Sequence, residues 1–224
     1  MDSSLFSSAR PSAGSRQPSA LAILASEPQK AELRRSPLFE DHQLIFTDDL
    51  SHLVGQKADA VIDLLFEPDP ERIEILSKCL PTAIFVNSVI YPISAIHLDF
   101  VRINGWPGFL ELPLLEAAGG SENSIRKAVE IFDSRIRFVK DVPGFVSPRI
   151  ISMIINEAYF ILDAGISSRG EIDIAMKLGT NYPLGPFEWA EEIGLEKIYS
   201  LMVVLSGSDA LYTPAPGLLR GLKD

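Results

Sequence analysis

Only one cysteine, Cys79, occurs in the 224 residues. Neither an internal disulfide nor a cysteine-based metal cluster can form, and the compartment expected is a reducing one, the cytoplasm. Histidine is also scarce: His42, His52 and His97 show no ligand-type spacing, so no metal site is read. Positive charge is in deficit, with 20 Lys and Arg against 30 Asp and Glu and a formal charge of -10. That balance excludes the basic footprint through which a protein grips nucleic acid or an anionic bilayer. No stretch reaches the roughly 18 to 20 apolar residues of a membrane span. Glycine is missing from one particular region: none lies between Gly14 and Gly55.

What is present is a globular composition, with 46% hydrophobic and 22% charged residues, enough to fill a core. Residues 1–20, rich in Ser, Ala, Pro and Arg, lack the apolar centre of a secretory signal. They read as a disordered, solvated tail, with an organelle transit peptide as the alternative.

From Leu21 the chain alternates short β-type runs with helical ones. "LAIL" (21–24), "QLIFT" (43–47), "ADAVIDLLF" (58–66), "TAIFVNS" (82–88), "FVRING" (100–105) and "RIRFVKD" (135–141) read as strands. The third is apolar without alternation, as in a strand buried on both faces. Between them, 27–35, 69–80 and 121–134 have helical patterning, the second with acids in its first turn. This order argues for a doubly wound parallel sheet over residues 21–140. From 141 to 224 nearly everything is helical. The segment 147–165 is apolar around most of its circumference and must be buried in a bundle or between subunits.

Several phrases are more specific than helix text in general. "KDVPGFVSPR" carries Asp141, Pro143, Gly144, Phe145 and Arg149; "NEA" follows at 156–158, "IDIAMKLG" at 172–179 and "PLGPFE" at 183–188. In this order and spacing they resemble the 3-hydroxyacyl-CoA dehydrogenase family, above all its helical C-terminal domain. The resemblance implies a Rossmann-like α/β domain, here truncated, followed by a helical dehydrogenase C-terminal domain. It further implies NAD as cofactor, an acyl-CoA as ligand and a homodimer formed through the helical domain.

The first strand of such a fold is followed by a glycine-rich turn that lets backbone amides approach a pyrophosphate. Here the turn is Ala25, Ser26, Glu27 and Pro28. Glu27 brings negative charge, Pro28 has no N–H, and Ser26 or Glu27 reads as a helix cap. NAD binding in the usual mode is therefore not expected.

The stretch "RINGWPGFLELPLLEAA" (102–118) is where the resemblance places the reaction. The family's catalytic His, held by a Glu twelve residues later, falls at Asn104, and the Glu falls at Glu116. Its active-site Ser falls at Val89 and its Asn at Pro148, so Glu116 alone of the four matches. A carboxamide does not titrate near the pKa of about 6.5 that lets imidazole accept a proton, so Asn104 can orient a group but cannot be the base. Asn87, Ser88, Trp106, Phe109 and Phe145 are candidates for a substrate pocket, with a domain interface as the alternative for Trp106 and Phe109. Three functions stay open: a catalytically degenerate dehydrogenase-like protein, an active NAD-dependent oxidoreductase with atypical cofactor contacts, and a non-catalytic structural or regulatory subunit.

Overall fold

The computed structural model describes residues 18–222, and the tail expected over residues 1–20 lies outside the described residues except for its last three. Strands and helices alternate as β1 (Ala20–Leu24), α1 (Glu27–Arg35), β2 (Gln43–Thr47), β3 (Ala60–Asp63), α2 (Pro70–Ser77), β4 (Ala83–Asn87) and β5 (Val101–Ile103). Then come β6 (Leu115–Ala118), α3 (Glu122–Phe132) and β7 (Ile136–Phe138). The seven strands form one sheet in the order β2-β1-β3-β4-β5-β6-β7.

β1 to β5 are mutually parallel, whereas β6 runs antiparallel to β5 and β7 parallel to β6. The parallel sheet expected from the sequence thus stops at β5. The connection 104–114 contains turns and no helix, and a parallel return needs a crossover, usually helical, of about a dozen residues or more. A strand reached without one comes back antiparallel.

Helices cover both faces of the sheet. On one, Leu33 of α1 and Phe132 of α3 pack on Ile23, Ile62 and Phe85. On the other, Leu76 of α2 packs with Ala22, Val61, Ile84 and Phe100. Phe132 meets Phe39 and Phe85 edge-on at 5.7 and 5.4 Å, a geometry that adds about 0.5–1.5 kcal/mol per pair beyond area burial. At the end of β3, the buried Asp63 receives two hydrogen bonds from Arg72 of α2, both 2.7 Å. Burial pushes its carboxyl up and Arg72 pulls it back down.

Beyond β7 the chain forms α4 (Ser147–Asp163), α5 (Arg169–Thr180), α6 (Pro186–Ile193), α7 (Leu195–Ser206) and α8 (Pro216–Arg220). Gly194, at φ +96°, makes the sharp junction between α6 and α7. One side of α4, with Ile155 and Tyr159, packs against Ile198, Leu201, Met202 and Leu218. The buried Asn156 fastens it to the C-terminal segment, donating to Thr213 O at 3.0 Å and accepting from Ala215 N at 2.7 Å.

His42, half-buried, sets its ring edge-on to Phe132 at 5.6 Å, and neither ring nitrogen has a hydrogen-bond partner among the described residues. Burial, reinforced by Arg135, lowers its pKa below the ordinary 6.5. Between the lowered and the ordinary value the unfolded chain binds the proton and the folded chain does not, so stability is full above that window and falls as pH drops through it. Urea unfolding from pH 7.5 down to pH 5 should therefore show a steeper loss for the natural chain than for His42→Phe. Equal pH slopes in the two proteins would refute this role for His42.

Candidate functional site

Asn104 follows β5 directly, and its N–H donates to Glu116 O at 3.0 Å, prolonging the antiparallel pair. The two side chains therefore stand side by side, and Asn104 Nδ2 donates to Glu116 Oε2 at 3.3 Å. Glu116 also accepts the N–H of Ser147, the first residue of α4, at 3.1 Å on Oε1 and 3.3 Å on Oε2. A carboxylate in that position meets the partial positive charge of the helix N-terminus, a contact of about 0.3–1 kcal/mol, more when partly buried. Asn104 Oδ1 accepts from Trp106 N at 3.4 Å. With Asn104 3% and Glu116 9% exposed, the pair braces β5 and β6 to the start of α4, and its polar groups face one another or the backbone.

The five candidates for a pocket divide. Trp106 and Phe145 are buried, and Phe109 is partly so, in the same apolar cluster as Val89 and Phe187. They pack at the junction between the sheet and the helical half. Ser88 Oγ is turned onto its own loop, donating to Tyr91 O at 3.0 Å. Asn87 accepts from Gly105 N at 3.0 Å and donates to Leu64 O at 3.1 Å. Of the seven residues singled out from the sequence, Asn87 is the one that lines an adjoining cavity of about 780 Å³.

That cavity lies where the sheet changes direction. β2 lies on one side of β1 and β3 on the other, and in open α/β sheets ligands sit outside the strand ends at such a point. Here the turn after β1 is engaged internally. Ser26 and Gln29 form a reciprocal capping box. From it the buried Gln29 side chain reaches across to Leu64 O at 3.2 Å and Gly105 O at 3.4 Å. Glu32, one turn on, accepts from Gly108 N at 3.0 Å. The cavity beside it is lined by four carboxylates, Glu32, Glu67, Glu111 and Glu192, against Arg35 and Lys197. The turn has no glycine, Pro28 offers no N–H, the cap engages the side chains, and the charge balance along the cavity is negative.

A further residue, not recognised from the sequence, organises the region. Arg102 of β5 is fully buried. Its Nε donates to Asp141 Oδ1 at 2.5 Å, Nη1 to Ser88 O, Val89 O and Tyr91 O at 3.0 to 3.4 Å, and Nη2 to Val142 O. Its guanidinium lies 4.5 Å from the ring centre of Phe145. The signal was a cation inside an apolar strand run, "FVRIN", and its counter-ion in the D-x-P-G-F turn.

The 3-hydroxyacyl-CoA dehydrogenase C-terminal domain profile matches residues 144–220. The chain is 30% identical over 188 residues to a probable 3-hydroxybutyryl-CoA dehydrogenase of Bacillus subtilis, covering 75% of this chain and 66% of that protein. It is 42% identical over 83 residues to the 3-hydroxybutyryl-CoA dehydrogenase of Bradyrhizobium diazoefficiens, covering 36% of this chain and 28% of that one. The chain thus spans about two thirds of the first relative's length and under a third of the second's. The solved (S)-3-hydroxybutyryl-CoA dehydrogenase PaaH1 from Ralstonia eutropha shares the fold, with a TM-score of 0.66 at 22% identity over 91% of this chain and 93% of that one. Matched through its helical half, along most of its length and in its fold, the chain belongs to the 3-hydroxyacyl-CoA dehydrogenase family.

Proposed function

We propose that this chain is a 3-hydroxyacyl-CoA dehydrogenase-like protein of acyl-CoA metabolism whose hydride-transfer chemistry has been lost or altered. The observation that carries this reading is the closed network of Asn104, Glu116 and Ser147 N. Oxidation of a 3-hydroxyl requires a group that accepts its proton. The carboxamide of Asn104 cannot accept one, and the Glu116 carboxylate is held by an amide and a helix N-terminus. The bridged turn at Gln29 points the same way for the cofactor, and no step is assigned to NAD. A cytoplasmic location agrees with the lone, buried Cys79 and with the absence, among the described residues, of a helix long and apolar enough to cross a membrane.

The non-catalytic partner role draws support from the helical half. Val146 and Ile150 at the start of α4 are 48% and 51% exposed, and Ile174 and Leu178 on α5 are 56% and 83% exposed, each pair four residues apart. Such pairs share a helix face, and large exposed apolar side chains in register suit association with a second copy.

Three outcomes follow. Mixing the protein with acetoacetyl-CoA and NADH should leave NADH absorbance unchanged; turnover that disappears in Glu116→Gln would overturn the degenerate reading. Glu116→Gln should lower unfolding stability by about 1–2 kcal/mol in urea, because it removes the charge facing the α4 N-terminus. In sedimentation velocity the chain should run as a dimer and Leu178→Glu as a monomer, and a monomeric natural chain would dismiss the association.

A further inference from the structure

We propose that Asn104 is a site of self-modification, at which the Gly105 nitrogen expels the side-chain amide and leaves a carboxylate beside Glu116, and that Asn87 holds this reaction back. Of Asn87, Asn104, Asn123, Asn156 and Asn181, Asn104 alone precedes a glycine. Before glycine, the next peptide nitrogen carries no Cβ-bearing carbon to hinder its approach to the side-chain carbonyl. In the first step the Gly105 nitrogen gives its proton to water and bonds to Asn104 Cγ. The Cγ–Nδ2 bond breaks, and Nδ2 takes a proton and leaves as ammonia. Water then opens the five-membered imide. Cleavage between the nitrogen and Cγ gives aspartate, and cleavage between the nitrogen and the main-chain carbonyl carbon gives isoaspartate. The sum is one water taken up and one ammonia released, and neither acyl-CoA nor NAD takes part.

The fold demands the glycine that makes Asn104 labile. A Cβ on residue 105 would lie 2.8 Å from Leu64 Cδ2 and 2.9 Å from Asn87 Cγ, so a side chain that could shield Asn104 has no room. The same fold restrains both reactants. The Gly105 N–H donates to Asn87 Oδ1 at 3.0 Å, and its carbonyl accepts from Gln29 Nε2 at 3.4 Å. Asn104 Nδ2 donates to Glu116 Oε2 at 3.3 Å, and Oδ1 accepts from Trp106 N at 3.4 Å. For the nitrogen to reach Cγ, the Asn87 contact must break and the carboxamide must turn away from Glu116. With Asn104 only 3% exposed, the water that opens the imide must enter as well. Releasing one neutral hydrogen bond and one to a carboxylate slows the folded chain about a hundredfold relative to the unfolded one.

The product alters the brace between β5, β6 and α4. A carboxamide donates to Glu116, whereas a carboxylate has no proton to donate and faces it as a like charge. Isoaspartate instead lengthens the main chain by one carbon, directly after the N–H that bonds Glu116 O. Either product loosens β6 and the start of α4 from β5, so the junction weakens as the chain ages.

Incubating the natural chain at mildly alkaline pH, folded and in guanidinium chloride, then digesting it for mass spectrometry, reads the conversion at each asparagine. Unfolded, Asn104 should convert faster than the other four; folded, it should convert about a hundredfold more slowly. In Asn87→Ala, shown by its thermal melt to be folded under the incubation conditions, Asn104 should convert about tenfold faster than in the natural chain, the loss of one ordinary hydrogen bond. Asn123, exposed on α3, should keep its rate and serves as the internal control. Asn104→Asp, one product made directly, should melt below the natural chain. Equal rates at Asn104 in the natural chain and a folded Asn87→Ala overturn the guarding role. A folded natural chain that converts Asn104 as fast as the unfolded one does the same without any variant. Conversion at Asn123 outpacing Asn104 in the unfolded chain overturns the site itself.

Discussion

The sheet and the helical half are joined around one buried charge, the guanidinium of Arg102. An unpaired cation in a fully enclosed site costs several kcal/mol or more, so it persists only where its donors are engaged. Here its three nitrogens reach Asp141 and four backbone carbonyls. Burial still pushes the group below its ordinary pKa, with Asp141 opposing that shift. The carbonyls belong to the loop after β4 and to the turn that opens the helical half, so satisfying one side chain ties these two segments to β5. Asp141 adds a further contact by accepting from Ile93 N at 3.0 Å. Removing Asp141 would strand the buried guanidinium, a loss of about 3–5 kcal/mol where a buried charge is left without its counter-ion.

The candidate site inherits its shape from that junction. Asn104 lies two residues beyond Arg102, on the same face of the strand. The D-x-P-G-F turn held by Arg102 delivers the N-terminus of α4 onto Glu116. A carboxylate supported from two sides can orient the group beside it, and here that group is a carboxamide. An amide hydrogen-bonds the carboxylate as an imidazole N–H would, yet it has no basic nitrogen to offer outward. The pair therefore braces β5 and β6 to the start of α4 through amide and carboxylate alone.

Much of this was legible in the sequence because it depends on local pattern. Ser26 declares a helix start, and the apolar run around Ala60–Asp63 a strand buried on both faces. "LEAA" was read as part of the site and not as strand β6: four residues with no alternation, between Pro113 and Gly119, carry no β periodicity, and pairing with β5 alone reveals them. The junction was hidden for a related reason. Arg102 and Asp141 are 39 residues apart, and nothing local distinguishes a buried, satisfied arginine from one that leaves the strand for solvent. Gln29 is similar. Its capping role follows from the three-residue spacing to Ser26, whereas its reach to Gly105 spans 76 residues and exists only once the sheet is assembled.

The bridged turn after β1 and the charge of the cavity at it have a common origin in the first turns of α1. A phosphate-binding turn leaves its amides free and aims the helix N-terminus outward. In this chain the same turn caps itself and reaches over to β3 and the 105–108 loop with a neutral side chain. One turn later Glu32 fastens to that loop as well. Both attachments pull α1 toward 105–108, and the second brings a carboxylate into a poorly hydrated wall where it faces Glu192. The glycine-free turn and the acidity of the cavity are consequently one arrangement, expressed in backbone and in charge.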